Sequence, residues 1–218
     1  DENTAILSGD AMLAISLRML LKNNLEDKDN LIKTYIDGLL SVCEGQALDI
    51  EFEKKKNVNV IQYKNMIYLK TAYMIGLSAQ IGGILSNLEK DKIKLLKDFG
   101  NSIGMAYQIQ DDLLELFSNS ESMNKSLFSD FTLKKKTFLW VAAKDELKDE
   151  LNTLLSNFRD NKQKSIMKLR EFVIIHKIRE EAEDFIVDEI NYANKLTKEL
   201  DKTGFLRYYS NLIFKRDN

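Results

Sequence analysis

Not one proline occurs in the 218 residues of this chain. Proline removes a backbone donor and clashes with the preceding turn, so a chain without it has nothing to interrupt long helices from within. Glycine is sparse too, at 9 residues. Sandwiches and barrels need many tight turns, and tight turns draw on both residues. Apolar groups recur at helical spacing along nearly the whole chain. The expectation is an all-α fold of long helices. Hydrophobic residues make up 44% of a chain long enough for one substantial core or two small ones.

Polar stretches divide the pattern. Helices are predicted over residues 4–22, 29–53, 60–88, 91–117, 136–157, 163–200 and 203–216. Gly76, Gly82 and Gly83 interrupt the third. Each costs about 1 kcal/mol relative to alanine, which predicts close packing of another backbone, or a kink. Asp91 is the predicted N-cap of the fourth helix. The polar "SNSESMNKSLFSD" reads as a loop. Neither a repeat nor a domain-separating linker is visible, so residues 1–218 are expected to form a single all-α domain. The opening "DENTAILSGD" lacks an initiating methionine. We read the chain as part of something longer, incomplete at its N-terminus.

The formal net charge of −2 gives no reason to expect a nucleic-acid partner. The single cysteine, Cys43, cannot form an internal disulfide and fits a reducing, cytoplasmic compartment. By inspection no apolar run is long enough to span a bilayer, so no transmembrane segment is expected.

One stretch asks for an explanation. "YQIQDDLLELF", Tyr107–Phe117, carries three acids in an apolar helical pattern. Each helical residue advances the chain by about 100°, so Gln108, Asp111, Asp112 and Glu115 share one face. Leu113, Leu116, Phe117 and Ile109 are left to bury. Like charges at this spacing destabilise an isolated helix by a few tenths of a kcal/mol (~0.3) per pair. A solvated face is one account. A site for a hard cation such as Mg²⁺, which takes one or two carboxylates plus substrate phosphates, is the other. Spacing alone leaves both open.

Two basic segments bear on the choice. "LKTAY" sets Lys70 and Thr71 within an apolar helix, where snorkelling to the surface is the simple alternative. "NKSLFSDFTLKKKTF" supplies Lys125, Asp130, Lys134, Lys135, Lys136 and Thr137, and alone would read as a solvated helix start. Brought together with the carboxylates, such lysines would hold a diphosphate as point charges. His176, Trp140 and the methionines are most simply helix and core residues. Arg179–Phe185 reads as a solvated face with i, i+4 pairing.

Taken in order, these segments resemble the trans-isoprenyl diphosphate synthases of the polyprenyl synthetase family, geranylgeranyl-forming members most. "AILSGDAML" is similar to the family's Ala-x-Leu-x-Gly-Asp-x-Leu helix, and "EGQALDIEF", with Gly45, Gln46 and Asp49, to its Gly-Gln-x-x-Asp segment. "LKTAY" resembles its Lys-Thr pair, and "YQIQDDLLE" its second aspartate-rich motif, Phe-Gln-x-x-Asp-Asp-x-x-Asp. "NKSLFSDFTLKKKT" is similar to the Lys-x-x-x-x-Asp-Leu-x-x-Gly-Lys-x-Thr segment, and "FKRDN" to the basic C-terminus. Glu115 stands where the family has Asp, Lys134 where it has Gly, and Phe128 where it has another Gly.

The resemblance implies antiparallel helices around a central cavity, with a homodimer as the usual assembly. It implies condensation of an allylic diphosphate with isopentenyl diphosphate, assisted by Mg²⁺, to give a longer trans-polyprenyl diphosphate. Asp111, Asp112 and Glu115 would then serve the metal. Lys70, Lys125 and Lys135 would contact the allylic diphosphate, Thr71 would hydrogen-bond the same group, and Gln108 would face the reacting carbons. Arg216 would lie near the second diphosphate. The family's first aspartate-rich motif is not among these residues. Since the metal site draws carboxylates from both cavity walls, the chain by itself is expected to turn over little or not at all. Asn124–Lys125–Ser126 favours a geranylgeranyl product. Two competing readings are a non-catalytic regulatory subunit of the same fold and a helical scaffold without a ligand. A terpene cyclase shares the fold, but the Lys-Thr, Gly-Gln-x-x-Asp and post-motif lysine segments favour elongation.

Overall fold

A 28-residue helix, Lys90–Phe117, packs along the helix before it, Tyr73–Leu85, on one side and along the later helix Ile178–Thr197 on another. The computed structural model describes residues 1–22, 28–117, 135–156 and 162–214. In chain order the helices are α1 (Glu2–Leu21), α2 (Lys28–Lys54), α3 (Val60–Ile67), α4 (Tyr73–Leu85) and α5 (Lys90–Phe117). They continue as α6 (Phe138–Ala142), α7 (Lys148–Ser156), α8 (Lys162–Ile175), α9 (Ile178–Thr197) and α10 (Phe205–Phe214). No strand occurs among the described residues.

Facing glycines show how the central helices run. Gly100 of α5 lies against the backbone of Ile75 and Gly76, while Gly104 lies against Ala72. Rising numbers on one helix meet falling numbers on the other, so α4 and α5 are antiparallel. The same holds for α2, whose Gly38 meets Leu77 and whose Gly45 meets Lys70. On its other side α5 packs against α9. The core between them includes Phe52, Tyr63, Ile67, Ile109, Leu116, Phe172, Ala182 and Ile186, each almost fully buried. Arg170 of α8 donates from Nε to the Leu116 carbonyl at 2.7 Å, satisfying one orphan acceptor at the end of α5.

The predicted helix over 60–88 is present but not uniform. It starts at a capping box: Gln62 N–H donates to Asn59 Oδ1 at 2.8 Å, and Asn59 N–H to Gln62 Oε1 at 3.0 Å. Between α3 and α4 it widens into one π turn, Tyr68–Ala72, where the Tyr73 N–H reaches the carbonyl of Tyr68. The widening falls at Lys70 and Thr71, not at the glycines. Two neighbouring helices grip it there. A Cβ at Gly45 would stand 2.3 Å from the Lys70 nitrogen, and one at Gly104 would stand 2.4 Å from the Ala72 Cα. Gly76 and Gly83 do pack tightly against α5, whereas Gly82 faces open space.

Two predicted helices are each broken in two. Residues 136–157 divide because Phe138, Leu139, Trp140 and Val141 are all buried, a pattern no single helix face provides. The chain turns extended at Ala143, makes a short 3₁₀ turn over Asp145–Leu147, and resumes as α7. Residues 163–200 divide at Lys177, which takes a left-handed conformation with φ 60°. The buried set of α8 ends at Phe172 and Val173, and that of α9 begins at Ile178. A straight helix would put His176 and Lys177 on the buried side, so one helix ends there and the next begins. Asp91 lies inside the first turn of α5, where its charge suits the helix dipole, rather than at the N-cap. Of the methionines expected in the core, Met66 and Met105 are buried, while Met12, Met19 and Met167 are exposed.

α1 is the described helix that bears on the expectation of no transmembrane segment, and it does not overturn it. Its 20 residues have a hydropathy of 1.5, long and apolar enough by length and composition to cross a bilayer. None of its residues is buried, and Ile6, Leu7, Met12 and Met19 lie open. A short hydrogen bond between Ser16 and Tyr35, and one from Lys28 Nζ to the Leu21 carbonyl, tie it to α2.

Candidate active site

The π turn carries Lys70 and Thr71 toward the acidic face of α5, and the chain entering α6 approaches that face from another side. Together they enclose a cleft of about 340 Å³. Lys70, Gln108, Asp111, Asp112, Glu115 and Lys135 all line it. Thr71 reaches it through Gln108. Lys125 lies outside the described residues, as do Lys134, Phe128, Asp130 and Arg216.

The two aspartates of α5 differ in setting. Asp111 is half-buried, as is Glu115 one turn on, and both face the cleft. Asp112 is buried at 7% exposure and accepts three hydrogen bonds. Tyr63 Oη donates to its Oδ2 at 2.6 Å, the Phe138 N–H donates to the same oxygen at 2.6 Å, and Gln108 Nε2 donates to Oδ1 at 3.2 Å. Burial pushes the Asp112 carboxyl up to about 6, against those three donors, which pull it down; the neighbouring Asp111 charge adds to the rise. Burial also drives the Tyr63 phenol well above its ordinary range, reinforced by the Asp112 charge. Asp112 is therefore held by the protein from several directions, and Asp111 and Glu115 line the cleft wall.

Gln108 uses both ends of its amide. Its Oε1 accepts from Thr71 Oγ1 at 2.8 Å while its Nε2 holds Asp112. Lys70 does not snorkel into solvent. Its Nζ donates to Asp49 Oδ2 at 2.5 Å, and Asp49 is itself buried in α2. Lys136 stands over the Trp140 ring, 3.8 Å from its centroid. Met66 and Ile67 supply the apolar part of the lining.

Sequence reasoning missed Tyr63. It precedes Lys70 by seven residues, two helical turns, so it belongs to the same face. That signal was available, but a tyrosine in an apolar helix reads as core. Asp49 was noticed only as part of a motif, without a role.

Among the described residues, no group of three or more acidic, histidine or cysteine side chains could hold a metal ion by itself. The donor set fits Mg²⁺ in its other common mode. That ion keeps several waters, takes one or two carboxylates from the protein and draws the remaining oxygens from a substrate phosphate. Asp111 and Glu115 on one wall are hard oxygen donors of that kind.

An all-α bundle whose central helix turns an acidic face into a cleft with lysines on neighbouring segments defines a class, and sequence comparison names it. The model of the polyprenyl synthetase family matches residues 1–175, and the chain belongs to that family of enzymes. A short chain isoprenyl diphosphate synthase of Methanothermobacter thermautotrophicus is 28% identical; the match covers 100% of this chain and 68% of the relative. A geranylgeranyl diphosphate synthase of Sulfolobus acidocaldarius is 29% identical over 97% of this chain and 68% of its own length. The crystal structure of geranylgeranyl pyrophosphate synthetase from Pyrococcus horikoshii superposes with a TM-score of 0.86 at 28% identity, covering 99% of this chain and 68% of that one. The chain thus spans about two thirds of the proteins it resembles, and the shared fold is the all-α one expected.

Proposed function

We propose that this chain forms one wall and the floor of a prenyltransferase site that condenses an allylic diphosphate with isopentenyl diphosphate. The product we favour is geranylgeranyl diphosphate, in keeping with the names of two archaeal relatives. One observation carries the reading. Lys70, Gln108, Asp111, Asp112, Glu115 and Lys135, drawn from three separate segments, line a single cleft.

The hard step in such a reaction is separating an allylic cation from diphosphate. Bound Mg²⁺, held by Asp111 and Glu115, would supply positive charge at the departing diphosphate. Lys70 and Lys135 face the same cleft and would neutralise that charge as it develops, where electrostatic stabilisation has most effect. Lys70 must leave Asp49 to do so, and Asp49 holds it ready at the cleft edge until then. The Thr71–Gln108 pair fixes the amide oxygen beside the space for the reacting carbons. Met66 and Ile67 keep that end of the cleft apolar, which disfavours capture of the cation by water. A second copy packing on the exposed apolar side chains of α1 would complete the homodimer, and a cytoplasmic location goes with this reading.

Calorimetry of the 218-residue chain with Mg²⁺ and a bisphosphonate tests it. Binding that requires Mg²⁺ and is lost in Asp111→Ala supports the reading. Absence of any metal-dependent binding refutes it and favours a scaffold. Glu115 in place of aspartate favours a second reading, a non-catalytic regulatory subunit. Turnover by the chain joined to an intact first aspartate-rich motif would exclude that one.

A further inference from the structure

Asp112 accepts a hydrogen bond from the first backbone amide of a helix to which it does not belong. Thr137, at the N-cap of α6, makes no side-chain capping bond. The acceptor that helix start needs comes from α5 instead, as Asp112 Oδ2 at 2.6 Å from the Phe138 nitrogen. The same oxygen takes the Tyr63 hydroxyl at 2.6 Å. Tyr63 is 1% exposed, and its ring packs edge-on against Phe138 at 6.1 Å between centroids. One tyrosine therefore grips both members of the cap: the carboxylate through its hydroxyl, and the capped residue through its ring.

We propose that Tyr63 is a positioning residue that sets the register of the Lys135-bearing segment against the acidic face of α5, acting through Asp112. The inference rests on the diphosphate-binding reading above. Lys135 is three residues before Phe138, so the segment between them can shift only as far as the cap allows. Without the hydroxyl, Asp112 keeps two donors and gains freedom to rotate about its side-chain torsions. The Phe138 amide then loses its fixed acceptor, and Lys135 its fixed approach to the cleft. Gln108 ties the other oxygen of Asp112 to Thr71, so both cation-bearing segments are referred to one carboxylate. Tyr63 lines the cleft beside Asp112, but its hydroxyl is spent on that carboxylate and not on Asp111 or Glu115.

The test is a double-mutant cycle on the 218-residue chain, titrated with inorganic pyrophosphate in the presence of Mg²⁺. Tyr63→Phe should weaken pyrophosphate binding about fivefold, the size of one net hydrogen bond. In a Lys135→Ala background the same change should have less than about a twofold effect, because the lysine it positions is gone. Equal losses in both backgrounds, or no loss in the first, would overturn the proposal, since a merely structural tyrosine has no reason to couple to Lys135. Amide hydrogen exchange at Phe138 gives a second reading that needs neither ligand nor variant stability: in wild-type protein this amide should be protected beyond that of Thr137, and lack of protection overturns the cap. If wild type binds no pyrophosphate while Phe138 is protected, the diphosphate reading fails and the cap stands as architecture alone.

Discussion

Lys70 and Asp49 meet at 2.5 Å, the lysine from a π turn and the aspartate from the middle of α2. The carboxylate is the deeper partner, with 8% of its side chain exposed against 30% for the lysine. Removing the two charges should therefore have unequal effects. Lys70→Met strands a buried carboxylate and should cost about 3 kcal/mol. Asp49→Asn leaves an ammonium that can still reach water, and should cost about 1 kcal/mol. Urea denaturation of both variants checks the order; equal losses would mean that the pair contributes nothing specific.

The π turn depends on a glycine that approaches its backbone. Alanine at Gly45 would place a methyl 2.3 Å from the Lys70 nitrogen and 2.7 Å from its Cα, and backbone atoms cannot swing aside as a side chain can. We expect Gly45→Ala to cost about 3 kcal/mol or more and to disturb the cleft. Gly82→Ala, in the same bundle but with nothing within 4 Å, should stabilise by about 0.5–1 kcal/mol. Melting temperatures of the two variants should move in opposite directions.

Asp112 makes stability depend on pH in an unusual sense. Its carboxyl lies at about 6 in the folded protein, above the 3.8 of a free side chain. The folded state therefore binds this proton more tightly than the unfolded state. Its contribution to stability rises as the pH falls from about 7 through 6 toward 4, and levels off below the unfolded value. The change is on the order of 2–3 kcal/mol. The comparison is with Asp112→Asn, which isolates this one group. Wild type should gain on the variant as the pH falls, by denaturant midpoint. A difference independent of pH would contradict it.

The break between α8 and α9 uses a lysine at φ 60°, a conformation that favours glycine. Lys177→Gly should stabilise by about 0.5–1 kcal/mol, and Lys177→Val should destabilise by at least as much. Thermal unfolding of the pair distinguishes this from a break imposed wholly by packing, in which both changes would be near neutral.

Periodicity shows which residues turn inward along a helix, but not where one helix must end so that the next can bury a different face. The breaks at Lys177 and Ala143 are of that kind. In each, a local pattern favouring continuation is overridden by the need to cover apolar residues on more than one side. The π turn escaped for a related reason: it widens to admit Gly45 and Gly104 from helices distant in sequence.

What the sequence determined was composition and order: a proline-free helical chain with an acidic face and two basic segments in the arrangement of the polyprenyl synthetase family. Those features are local, set by side-chain spacing along one helix, and local spacing can be read from a string. Tertiary structure alone decided that Asp112 is held from three sides while Asp111 faces the cleft, that Lys70 rests on Asp49, and that Tyr63 joins α3, α5 and α6 at one carboxylate. Adjacent residues on a helix point about 100° apart, and what each then meets depends on partners tens of residues away.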